Sequence, residues 1–102
     1  MAQLLVLYDP PADPAAFDKY YHEKHIPLAK TIPGLRSYII SAQPPRGLGG
    51  KSLHLVAELT FDSMTAIDAA LSSPEGLATA ADLANFAQAG ATIMIFETSA
   101  VW

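Results

Sequence analysis

The side chains best suited to chemistry gather in one stretch, Phe17 to Leu35, FDKYYHEKHIPLAKTIPGL. Phe17, Tyr21, His25 and Leu28 recur at spacings of three or four, so on a helix they share one face. His25 exchanges a proton near neutral pH and is suited to act as general acid, general base or hydrogen-bond anchor for a carbonyl or phenol. Two positions on, Pro27 has no N–H and its ring clashes with the carbonyl of Glu23. The helix is therefore predicted to kink or loosen here, with Ile26, as the residue before a proline, pushed away from helical geometry. An imidazole at a disturbed turn can be aimed into a cavity. The plainer alternative is a helix-end histidine that bonds a carbonyl freed by Pro27 and steadies the helix C-terminus.

Glu58 is the second candidate. The segment Leu53 to Phe61 alternates, with Leu53, Leu55, Ala57, Leu59 and Phe61 on one face and His54, Val56, Glu58 and Thr60 on the other. We expect the polar face to line an interior, where a carboxylate must be paired or have a raised pKa. A Glu58–His25 partnership would meet that need, and a structural hydrogen bond or a place beside water would meet it equally. His54 shares the strand face of Glu58 and is a weaker ligand contact. Tyr21, one turn before His25, and Tyr38, together with Phe17, suit a pocket for planar apolar molecules as well as they suit a packed core. The run His22-Glu23-Lys24-His25 spaces its histidines three apart, where a helical zinc site with an intervening glutamate needs four. His22 is expected to face solvent with Lys19. No metal site is predicted. No glycine-rich phosphate loop opens a helix, so no nucleotide cofactor is predicted either.

The elements that must position these residues follow from punctuation and period. Leu4 to Tyr8 reads as a strand ended by Asp9-Pro10-Pro11. Asp13 and Pro14 start a helix as cap and first residue, running to about Lys30 and stopped by Pro33-Gly34. Leu35 to Ser41 is a second strand, followed by the loose connection Pro44 to Gly50. After the strand Leu53–Phe61, Asp62 or Ser63 caps a short helix with Met64, Ile67 and Leu71 on one face. Ser73-Pro74 opens a second helical piece to about Gln88, and Thr92 to Thr98 is the last strand. The order β-α-β-β-α-β predicts an α+β, ferredoxin-like domain spanning residues 1–102, with one antiparallel sheet and helices on one face.

That architecture leaves a surplus of apolar surface. In the first, second and last strands both faces are apolar, yet helices cover only one. The second face is expected to be an interface, most simply a homodimer in which two sheets close on each other. Composition narrows the remaining classes. Hydrophobic residues make up 51% of the 102 positions against 16% charged, and the net charge is −4. A negative chain is a poor match for nucleic acid or an anionic membrane surface. With no cysteine, disulfides and thiolate chemistry are excluded. No stretch approaches the roughly 20 apolar residues of a membrane span, and MAQLLVLYDP lacks the features of a signal peptide, so a cytoplasmic protein is expected.

The segment FDKYYHEKHIPLA followed by PGL, and later AELTFDS and ADLANFA, resembles the EthD family of dimeric α+β-barrel proteins over nearly the whole chain. The resemblance implies a ferredoxin-like subunit, side-by-side dimers, and a pocket between the sheet and the first helix. It also implies an oxidoreductase label and a small-molecule ligand. His25 and Glu58 fall on the matching histidine and glutamate, while the family often carries Trp where this chain has Tyr21. Asp82 and Phe86 fall on the ADL-x-x-F stretch, where an exposed helix aspartate and a core phenylalanine are expected. Related dimeric barrels bind haem through a histidine, which leaves haem on His25 as a minor alternative to a site without cofactor. The function expected is proton transfer by His25 on a small apolar or aromatic molecule. The alternatives are a binding protein that uses the same pocket without chemistry and a purely structural dimer.

Overall fold

A computed structural model describes all 102 residues. Four strands, β1 (Ala2–Tyr8), β2 (Ser37–Ile40), β3 (Leu55–Phe61) and β4 (Ala91–Glu97), form one antiparallel sheet in the order β2-β3-β1-β4. The helices α1 (Pro14–Tyr20), α2 (Ile26–Ala29), α3 (Met64–Ser72) and α4 (Pro74–Phe86) complete the ferredoxin-like α+β fold. No helix is long and apolar enough to cross a membrane.

Local chemistry accounts for the helix starts. The Asp13 carboxylate accepts from the Ala16 N–H at 3.1 Å with Pro14 in the first turn, and Ser63 and Ser73 cap α3 and α4 in the same way. Ser63, not Asp62, takes the cap of α3, because Asp62 is engaged by the Arg36 guanidinium through two bonds. Past α2, Gly34 adopts φ +81° and turns the chain toward β2.

Between α1 and α2 the helix does not break. It widens into a π-helical turn over Tyr21–His25, in which the Ile26 N–H reaches back five residues to the Tyr21 carbonyl. Pro27 cannot donate to Glu23, and the loosening expected from it takes this form. Ile26 itself stays helical at φ −58°, ψ −49°, contrary to expectation. The wider turn makes room for the proline ring without expelling its neighbour from the helix.

The helix-facing side of the sheet carries Leu4, Val6 and Tyr8 from β1 and Leu55, Ala57, Leu59 and Phe61 from β3, all buried. Registers place Tyr38 opposite Leu59 and Ile93 opposite Val6, which fixes the parity of β2 and β4. The other face presents Leu5, Leu7, Ile39, Val56, Glu58, Met94 and Phe96, and no helix covers it.

Gly76 marks the tightest approach in the helical layer. A Cβ there would lie 1.9 Å from the Ala70 carbonyl oxygen, a backbone atom that cannot swing away. Gly76→Ala should therefore prise α3 from α4 and destabilise the fold by about 3 kcal/mol, read as a lowered urea midpoint.

Candidate functional site

The π-helical turn carries its two inward side chains, Tyr21 and His25, into the layer between sheet and helices, where they are 1% and 4% exposed. Phe86 of α4 packs on the imidazole with ring centres 4.6 Å apart, and Tyr21 lies 5.4 Å from it. His25 does not cap a helix carbonyl. Its Nδ1 lies 2.9 Å from Oδ2 of Asp82, a buried side chain of α4. Asp82 is further held by the Tyr20 hydroxyl, donating at 2.6 Å, and by the Asn85 amide at 2.9 Å.

The electrostatics of the pair follow from burial. Desolvation is the largest influence on His25 and pushes its pKa below the ordinary value, against the hydrogen bond and charge of Asp82, which favour the cation. For Asp82, burial alone would raise the pKa, but the bonds from Tyr20, Asn85 and His25 outweigh it and hold the carboxyl below the usual range. At neutral pH the arrangement is a neutral imidazole beside a carboxylate. The carboxylate accepts from Nδ1–H, so that tautomer is assigned and Nε2 keeps its lone pair. Nε2 has no partner in the chain, yet no fully enclosed side-chain nitrogen or oxygen lacks one. Nε2 must therefore open onto free space.

His25 lines a cavity between the sheet and the helices that opens to solvent. Its wall is apolar apart from His25, Thr79 and the tyrosines Tyr8, Tyr21 and Tyr38. Leu71, Ala80 and Ile93 are both lining and exposed, which marks the mouth. The Tyr21 and Tyr38 hydroxyls bond to each other at 2.6 Å. No group of three or more His, Asp or Glu side chains is placed to hold a metal. The lining holds no lysine or arginine that could pair with the propionates of a haem.

Several expected site residues lie elsewhere. Glu58 cannot partner His25: it points from β3 to the uncovered face, opposite Leu5 and Ile39, with the sheet between them. The alternation of β3 holds, but the cavity lies on the apolar side of the strand, within the core. His54 precedes β3 and does not share the face of Glu58. Its ring meets Phe17 edge-on at 4.8 Å and its Nε2 lies 2.7 Å from Asp18, outside the cavity. Phe17 is buried against Tyr8, Tyr21 and Phe86 and backs the wall without lining it. Tyr21, Tyr38 and His25 do meet at the cavity, and His22 is exposed. Asp82 is not the exposed aspartate expected; at 9% exposure it is the partner of His25. Thr79, Asp82 and Phe86 are all buried at helical spacing, so an aspartate on the apolar stripe of α4 was the signal for it.

The pair makes stability depend on pH. As pH falls past about 6.5, the unfolded chain binds a proton on His25 before the folded chain does. Its contribution is complete above that pH and is lost below it; Asp82 adds a further loss below about pH 4. Urea midpoints should fall between pH 7.5 and 5.5, and His25→Asn should show a smaller fall.

The family model described as the EthD domain matches residues 9–90. An uncharacterized 11.0 kDa protein of Rhodococcus erythropolis, from a thcB–thcC intergenic region, is 37% identical over 101 residues, covering 99% of this chain and 98% of its own. The crystal structure of an EthD family protein from Bacillus halodurans superposes with a TM-score of 0.88 at 33% identity, covering 97% of this chain and 99% of that one. At low identity the same fold recurs in a dimeric ferredoxin-like protein of unknown function from Thermobifida fusca (TM-score 0.70, 15% identity, 95% and 90% covered). It recurs also in SnoaB, a cofactor-independent oxygenase of Streptomyces nogalater (TM-score 0.66, 14% identity, 98% and 94% covered).

Proposed function

The chain belongs to the EthD family, and from that premise we propose a small enzyme that works without a bound cofactor on an apolar or aromatic molecule in the cavity. His25 is the group that takes and returns a proton. The observation that carries this is the His25–Asp82 pair, with Nδ1 committed to the carboxylate and Nε2 unpartnered beside an apolar cavity. A neutral imidazole with its tautomer fixed is a general base at pH 7, and such a group contributes about 10²–10⁴ in rate. Isomerisation, cyclisation and elimination need only that transfer. An oxidoreductase of this design would add oxygen to the carbanion or phenolate left by proton loss, chemistry compatible with a fold that SnoaB shares.

Small molecules recovered from the protein after incubation with cell extract test the proposal. Turnover by the wild type, with binding but no turnover in His25→Ala, supports catalysis. Binding with no turnover by either protein means a carrier, the second reading of the same cavity.

The uncovered face supports a homodimer. Ile39, Met94 and Phe96 are 56%, 50% and 41% exposed there, beside Leu5 and Leu7. A second copy closing on this sheet would remove that surface from water and enclose Glu58 in the barrel between the two sheets. Sedimentation at micromolar concentration should show a dimer, and Met94→Asp a monomer, because a carboxylate would be buried unpaired at the centre of the contact. A monomeric wild type would defeat this assembly.

A further inference from the structure

Beyond His25 and Thr79, whose hydroxyl is spent on the Glu75 carbonyl, the polar side chains lining the cavity are phenols. The Tyr21 and Tyr38 hydroxyls are 2.6 Å apart. Tyr8 stands edge-on to Tyr21 with ring centres 5.6 Å apart. Burial is the largest influence on all three and pushes their pKa values up, so each keeps its proton at neutral pH. The Tyr21–Tyr38 bond uses one of the three protons, which leaves the O–H of Tyr8 and one O–H of the bonded pair to donate elsewhere. No other side chain or carbonyl accepts from these phenols. Since no enclosed side-chain oxygen is left without a partner, the unbonded Tyr8 hydroxyl is not sealed in, and all three tyrosines line the cavity.

We propose that Tyr8, Tyr21 and Tyr38 form a donor site for an oxygen of the ligand, and that the substrate is an enolisable ketone on an apolar skeleton. The proposal rests on the proton-transfer reading above and gives it a substrate class. Nε2 of His25 supplies the lone pair, and Tyr21 packs 5.4 Å from that ring, so base and donors share one wall. The carbon–hydrogen bond beside the carbonyl breaks and its proton passes to Nε2. The electron pair it leaves forms the carbon–carbon double bond of an enolate, whose oxygen accepts from a free phenolic O–H. Return of the proton to the same carbon, or to another along the conjugated system, restores a neutral ketone. No oxidant or reductant is consumed. Donors aimed at an oxygen that gains charge act most strongly in such a dry site.

The test uses 2-tetralone and tetralin, one skeleton with and without the oxygen. Wild-type protein should bind the ketone at least about tenfold more tightly than the hydrocarbon and catalyse deuterium uptake beside the carbonyl in D₂O. The triple variant Y8F/Y21F/Y38F keeps the rings. It should lose the ketone preference and about 10²–10³ of the exchange rate while tetralin still binds. Retained tetralin binding also reports a folded cavity; should the triple variant not fold, Tyr38→Phe alone, at a half-buried position, should lose part of both effects. Equal affinity of the wild type for the two probes, or full preference and exchange in the folded triple variant, would overturn the donor site. His25→Ala separates the two claims. Ketone preference kept with exchange lost supports both. Exchange as fast as wild type in that variant sinks the proton-transfer reading, while the ketone preference still decides the donor site.

Discussion

Replacing His25 with alanine is expected to lower proton transfer on a bound apolar ketone by about 10²–10⁴ while the ligand still binds. The loss is large because Nε2 is the cavity's basic nitrogen: Thr79 spends its hydroxyl on the Glu75 carbonyl, and the three phenols stay protonated. Binding survives because the remaining wall is apolar and is contributed by strands and helices that His25 does not hold in place. Asp82 keeps two donors, Tyr20 and Asn85, so the carboxylate is not stranded. The fold should give up about 2 kcal/mol for the lost contacts with Phe86 and Tyr21. Deuterium uptake by NMR beside a calorimetric affinity for the same ketone checks both halves. Undiminished exchange in a folded variant would remove His25 from the chemistry.

Substituting Asp82 should do more damage to stability than any other single change at the site. Asp82→Ala leaves the Tyr20 hydroxyl, the Asn85 amide and Nδ1–H of His25 without their common acceptor. Bonds to a charged acceptor are worth about 1.5–3 kcal/mol each, but Tyr20 and Asn85 are near enough to the surface to find water. A net loss of about 3–5 kcal/mol is expected, read from urea midpoints. Asp82→Asn is the subtler test. Its amide can donate to Nδ1, which moves the imidazole proton to Nε2 and turns the cavity-facing base into a donor. Exchange should then fall nearly as far as in His25→Ala, in a protein that keeps most of its packing. A wild-type exchange rate in Asp82→Asn would show that the carboxylate does not set the tautomer.

Much of this frame could be read in the sequence because local physics decides it. Asp13-Pro14 and Ser73-Pro74 act within one turn of themselves, and the two-residue period of β3 sorts its faces without help from the rest of the chain. Pro27 loosens the helix for a reason contained in its own ring. The partner of His25 was hidden because Asp82 is 57 positions away and its role depends on how α4 lies across the π-helical turn. Glu58 misled because a polar strand face suggests an interior pocket. In this fold the helices cover the apolar face, and the cavity is a gap in that packing. His54 misled because parity holds only inside a strand, and it stands one residue before β3 begins.

The place of β1 in the sheet has a kinetic consequence. It lies between β3 and β4, so its innermost pairings are Tyr8 with Leu55 and Ala91, and its outermost join Ala2 to Phe61 and Glu97. Every rung of the central ladder thus closes a loop of roughly half the chain or more. Pairings so remote slow folding toward the millisecond-to-second range, and no hairpin of neighbouring strands nucleates β1. Until those loops close, the run Leu4-Leu5-Val6-Leu7 has no partner strand and is a sticky segment of high β-propensity. Refolding from denaturant should therefore give its best yield at low protein concentration, where β1 meets its own distant partners before it meets another chain.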